Sequence, residues 1–125
     1  GYDWDSYVKY GRQRFLTAPL MKWMFGKYVS DPAQRGNDLM SPVRASAERL
    51  RGLPATLIVV AENDILRDEG EAMGRRLDEA GVEVTTVRFN GVVHDWGMLN
   101  GFAALHPTRT LIRLVGSVLR DYLEK

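Results

Sequence analysis

Thr56-Leu57-Ile58-Val59-Val60-Ala61-Glu62-Asn63-Asp64-Ile65-Leu66-Arg67-Asp68-Glu69-Gly70-Glu71 is the stretch that decides the fold. Its first six residues are β-branched or aliphatic without alternation, the pattern of a strand buried on both faces in a parallel sheet covered by helices. We expect a strand over 56–61. Asp68 and Glu69 then fall in a first helical turn, where the helix dipole favours negative charge by ~0.3–1 kcal/mol each. Met73, Leu77 and Ala80 share one face, and Gly81 stands where a left-handed cap closes a helix, so the spacing predicts a helix over 67–80. Val82 to Phe89 is rich in β-branched residues and reads as the next parallel strand, 82–89, reached by a right-handed crossover. The whole is a βαβ unit.

Outward from that unit the chain is helical at both ends. Pro107 precedes Leu111, Ile112, Leu114, Val115, Val118, Leu119, Tyr122 and Leu123 at helical spacing, which predicts a C-terminal helix over 108–123 that closes over the sheet. Residues 1–29 hold eight of the twelve aromatics, and Thr17-Ala18-Pro19 looks like a cap followed by proline in the first turn of a helix over 18–29. Leu20, Met21, Trp23, Met24, Phe25 and Tyr28 cover more than one stripe of that helix, so it is expected to meet apolar surface on two sides. Residues 30–54, rich in Pro, Asp, Asn, Ser and Arg, read as a long surface connection with at most short turns.

The totals narrow the function. At 125 residues and 45% hydrophobic content the chain is of single-domain size. Seventeen basic against sixteen acidic residues leave a net charge of +1, which supplies no field for nucleic acid or anionic membrane. Cysteine is absent, so a disulfide scaffold, a thiolate zinc site and a cysteine nucleophile are excluded, and the cytoplasm is the default compartment. No apolar run approaches the ~20 residues of a membrane span. The expected partner is a small molecule or protein.

Ligands of a parallel sheet meet the loops beyond the carboxyl ends of its strands. Asp64 and His94, thirty positions apart, both fall in such loops, and no other Asp and His pair does. A histidine that acts as general base needs a carboxylate on one ring nitrogen and the nucleophile on the other; Asp64 would hold and His94 would shuttle the proton. The alternative is that Asp64 caps the following helix and His94 is an ordinary loop residue. Asp68, Glu69 and Glu71 are explained by the helix dipole, with Arg67 pairing one of them to orient the loop. Asp95 reads as a solvated loop acid and His106 as a cap or surface group. Two histidines twelve positions apart make a poor metal ligand set, so neither metal nor cofactor is expected.

Ser41-Pro42, the run Leu53-Pro54-Ala55-Thr56 through Asp64, Leu66-Arg67-Asp68-Glu69-Gly70 and Gly91-Val92-Val93-His94 together resemble the C-terminal part of the hormone-sensitive-lipase-like carboxylesterases. Those enzymes are α/β-hydrolases with a helical cap, and an acid, a strand and a late histidine follow their order of triad members. The resemblance spans nearly the whole chain. It implies that 1–40 is a cap-like helical segment with its connection, and that 41–125 is the C-terminal α/β-hydrolase portion. It further implies Asp64 as triad acid, His94 as triad base, and Trp23, Met24, Phe25 and Trp96 as substrate contacts in hydrolysis of a carboxylic ester.

Three departures qualify it. Asp95-Trp96 follow the histidine where the family usually has glycine and an aromatic, the glycine-rich oxyanion motif is missing, and so is Gly-x-Ser-x-Gly. Ser6, Ser30, Ser41 and Ser46, the serines ahead of Asp64, lack flanking glycines. The resemblance therefore implies about the last two fifths of such an enzyme, inactive alone, associating with itself or with the missing N-terminal half through an exposed sheet edge. The competing expectation is a non-catalytic α/β module that binds protein through its aromatic N-terminal segment.

Overall fold

The computed structural model describes residues 3–12 and 14–124. Its centre is the βαβ unit: strand β1 (Thr56–Asn63), a helix (Arg67–Glu79) and strand β2 (Val84–Val93), the strands pairing in parallel from Thr56 opposite Val84 to Ala61 opposite Phe89. Helices α1 (Asp5–Tyr10), α2 (Ala18–Tyr28) and α3 (Ala47–Leu50) precede β1, which makes the crossover helix α4; α5 (His106–Leu123) closes the chain.

Helix α4 covers one face of the sheet closely. A Cβ at Gly74 would overlap the Thr86 hydroxyl on β2, so only glycine allows this approach of helix to strand. Gly81, at φ 80°, ends α4 as expected, its N–H and that of Val82 donating to carbonyls of the last turn. That cap uses up residues 80–82, which is why β2 starts at Val84 and not at Val82.

The other end of β2 also differs from expectation. The register breaks between Ala61 and Asn63, so that Asn63 pairs with Val93 and β2 carries extra residues in a bulge. The Glu62 carboxylate accepts the Gly91 N–H at 2.7 Å and ties the bulge to β1. The strand thereby reaches Val93, one residue short of His94.

Three hydrophobic clusters hold the elements. Ala45 and Leu50 are buried with Leu77, Ala80 and Val82, so part of the 30–54 connection belongs to the core. Its backbone is organised by 3₁₀ turns at Pro32–Gly36 and Pro42–Arg44 and by α3, whose first turn is capped by Ser46. Tyr7, Tyr10 and Leu16 pack with Ile65, which is wholly buried, and the fully buried Ser6 hydroxyl donates to the Ile65 carbonyl at 2.6 Å. The N-terminal helix α1 is thus fastened to the loop after β1. The third cluster, Ala61, Val92 and Trp96 with Leu111, Phe89 and Phe102, joins the second face of the sheet to the start of α5.

Beyond Leu111 the last helix leans away from the sheet. A groove of about 1110 Å³ separates Leu57, Val59 and Ala61 from Val115, Val118 and Leu119. Among the described residues β1 pairs only with β2, so its other edge is open. Helix α2 buries one side only: Met21 and Ala18 meet the Tyr7 cluster, while Trp23 and Tyr28 are 62% and 71% exposed. The expected second apolar contact of α2 has no counterpart among the described residues.

Candidate active site

Asp64 follows the last residue of β1, and its carboxylate serves two neighbours. Oδ1 accepts the Leu66 N–H at 2.9 Å and shapes the turn into α4, while Oδ2 lies 2.8 Å from His94 Nδ1. The helix-entry and histidine-holding readings of Asp64 are therefore compatible, one oxygen to each. Asp64 is only 8% exposed, so the bond to His94 forms in a partly desolvated setting where it is stronger than in water.

His94 follows β2, aimed by the bulge that Glu62 anchors. Its pKa lies above the ordinary 6.5, first through the hydrogen bond to Asp64, against which burial works, then through the charges of Asp64 and Asp95. Its second nitrogen, Nε2, stands 3.4 Å from Asp95 Oδ1. Asp95 adopts φ 58°, the sole positive φ at a non-glycine position among the described residues. It is therefore not simply a solvated loop acid: its proximity to His94 depends on that backbone conformation, which no local motif announces.

The loop after β1 is braced from beneath. Arg67 Nε donates to Asp68 Oδ1 at 2.8 Å, and its guanidinium also reaches the Glu62 carbonyl and the Tyr10 hydroxyl. Asp68 in turn accepts the Ser6 N–H at 2.8 Å. Burial raises the Asp68 pKa, but the Arg67 and Ser6 hydrogen bonds outweigh it and hold the carboxyl below 3.8. Arg67 thus pairs an acid and orients the loop, as expected. Asp68 does more than face the helix dipole, because it carries the tie to α1.

Trp96 is buried against Phe89, ring centroids 5.4 Å apart, and lines the groove together with Asp64 and His94. Phe25 lines a second cavity, about 670 Å³, with Tyr7, Met21, Leu66 and Met73. Trp23 and Met24 line neither cavity and face outward. His106 is an exposed residue at the start of α5, apart from the Asp64–His94 pair. Glu62, Ser6 and Asp95 are the site-supporting residues that sequence spacing did not single out.

A sequence profile described as alpha/beta hydrolase fold matches residues 2–98. The chain belongs to the α/β-hydrolase fold family. Within that family its likeness is to the hormone-sensitive-lipase-like carboxylesterases. The solved structure of a thermostable esterase from Pseudomonas putida matches with a TM-score of 0.91 at 43% identity, over 93% of this chain and 36% of that one. An arylesterase of Saccharolobus solfataricus is 37% identical over 94 residues, 75% of this chain and 28% of that protein. An ethyl acetate hydrolase of Pseudomonas putida is 36% identical over 91 residues, 73% of this chain and 28% of that protein. The chain spans about a third of the length of the curated relatives it matches. Among the described residues no helix is long and apolar enough to cross a membrane.

Proposed function

We propose that these residues supply the acid and base of a carboxylic ester hydrolase, Asp64 and His94, to a serine carried by a segment outside them. The observation that carries this reading is the 2.8 Å contact between His94 Nδ1 and Asp64 Oδ2 at the carboxyl ends of two parallel strands. Asp64 fixes the proton on Nδ1 and leaves the Nε2 lone pair for the nucleophile. The serine hydroxyl attacks the ester carbonyl carbon as its proton passes to Nε2; the tetrahedral adduct collapses, and the alkoxide leaves with that proton as the free alcohol. Water then repeats the sequence on the acyl-enzyme, and the acid is released. No redox partner is needed.

Similarity to an arylesterase and an ethyl acetate hydrolase supports small esters with short to medium acyl chains as substrates. Trp96 and Phe25 are the substrate-contacting side chains of this reading, Trp96 in the groove with the pair and Phe25 in the second cavity. The segment 1–40 acts as cap and 41–125 as the α/β portion. The open edge of β1 and the outward stripe of α2 support association with the serine-bearing half or with a second copy. The test is turnover of a 4-nitrophenyl acyl ester by a polypeptide that joins these residues to a Gly-x-Ser-x-Gly segment. His94→Ala lowers kcat by about 10⁴–10⁶ while circular dichroism is unchanged; retained turnover sinks the reading.

A further inference from the structure

We propose that Asp95 is a positioning residue for the candidate base: its carboxylate holds the outer nitrogen of the His94 ring while the ring is cationic and lets it go on deprotonation, which sets the pH at which the site accepts a proton. The proposal rests on the reading of Asp64 and His94 as acid and base.

Three observations lead here. The Asp95 Oδ1 atom lies 3.4 Å from His94 Nε2, the nitrogen that must face a nucleophile, while Nδ1 is already engaged by Asp64 at 2.8 Å. Asp95 is held in the left-handed region at φ 58°, a conformation that aspartate tolerates and that most side chains avoid. The turn is fixed by backbone bonds, from Trp96 N–H to the Val93 carbonyl and from Met98 N–H to the Asp95 carbonyl, so the carboxylate stays beside the ring without a bond of its own to the turn.

The chemistry follows from which nitrogen carries hydrogen. In the imidazolium both N–H groups face carboxylates, Asp64 on one side and Asp95 on the other. In the neutral ring the Nε2 lone pair faces the Asp95 carboxylate, which repels it, and the side chain, 40% exposed, can turn to water. Of the titratable groups lining the same groove, Asp64 and Asp95 flank the ring; Tyr122, on α5, is bonded to Glu83 at 3.0 Å. The wall that α5 offers is otherwise apolar, with Leu111, Ile112 and Val115. Asp95 therefore makes His94 a stronger base that stays protonated to higher pH. Replacing it lowers the acid limb of the pH profile and lowers the plateau rate together, a pairing that a merely structural role does not produce.

The test is an NMR titration of the His94 ring in this chain. In both Asp95→Asn and Asp95→Gly, two residues that accept positive φ, the His94 midpoint falls by about 0.5–1 pH unit. An unchanged His94 midpoint in Asp95→Asn overturns the proposal, whatever Asp95→Gly does, because the charge would then not be the cause. The titration needs no turnover. Failure of the esterase reading, seen as activity that survives His94→Ala, is therefore distinguishable from failure of this one.

Discussion

At the residue scale the site is a division of labour among carboxylates. Asp64 gives one oxygen to the Leu66 N–H and the other to His94, so Asp64→Asn keeps the shape of the turn but loses the charge that orients and stabilises the imidazolium. We expect kcat to fall by about 10⁴ in a serine-bearing polypeptide, with KM little changed, in steady-state ester kinetics. The same pair makes stability depend on pH. The folded His94 pKa exceeds its ordinary 6.5, so this contribution is complete below 6.5 and is lost as pH rises through the raised midpoint. For Asp68 the sign is opposite: its folded pKa lies below 3.8, so its contribution is present above 3.8 and is lost as pH falls through the depressed midpoint. Urea midpoints measured across both windows should decline on each side, and His94→Gln should flatten only the upper decline. The meeting of Asp64 with His94 was legible because strand ends are readable from hydrophobic runs and both residues fall at such ends. Asp95 and Glu62 were not, since their roles depend on a left-handed residue and on a bulge that period-two reasoning passes over.

At the scale of elements, local pattern worked where burial is strong and regular. The continuous run of β1, the acidic first turn of α4 and its Gly81 cap reappear in the structure within two residues of expectation. Helix α1 escaped notice although Trp4, Tyr7 and Tyr10 recur at threefold spacing, because six residues carry too little pattern and α1 is stabilised by distant partners. Its fastening is testable. The Ser6 hydroxyl is fully buried on the Ile65 carbonyl, so Ser6→Ala should cost about 1–3 kcal/mol in chemical denaturation, through a carbonyl left without its donor. The seam between α4 and β2 gives a second check. A methyl at Gly74 meets the Thr86 hydroxyl, so Gly74→Ala should destabilise by about 1–3 kcal/mol despite alanine's better helix propensity, and Thr86→Ala beside it should restore most of the loss.

On the scale of the whole molecule, what is covered and what is open tell the same story. Helix α4 packs on one face of the sheet, whereas the other looks into a groove of about 1110 Å³ under α5, and β1 offers an edge unpaired among the described residues. Such surfaces favour association, and we expect light scattering at micromolar concentration to give a mass above that of one chain; a clean monomer would contradict this. Composition could not reveal the groove, because the apolar spacing of α5 is the same whether the helix lies on the sheet or stands away from it. The central claim is that His94, held by Asp64, activates a serine from a complementary segment. Its most direct test is the rate at which a fluorophosphonate labels that serine, read by intact mass, in a polypeptide joining these residues to a Gly-x-Ser-x-Gly segment. One adduct on the serine, formed at least about 10³-fold more slowly in His94→Gln, is the predicted result; equal rates in the two proteins would contradict it.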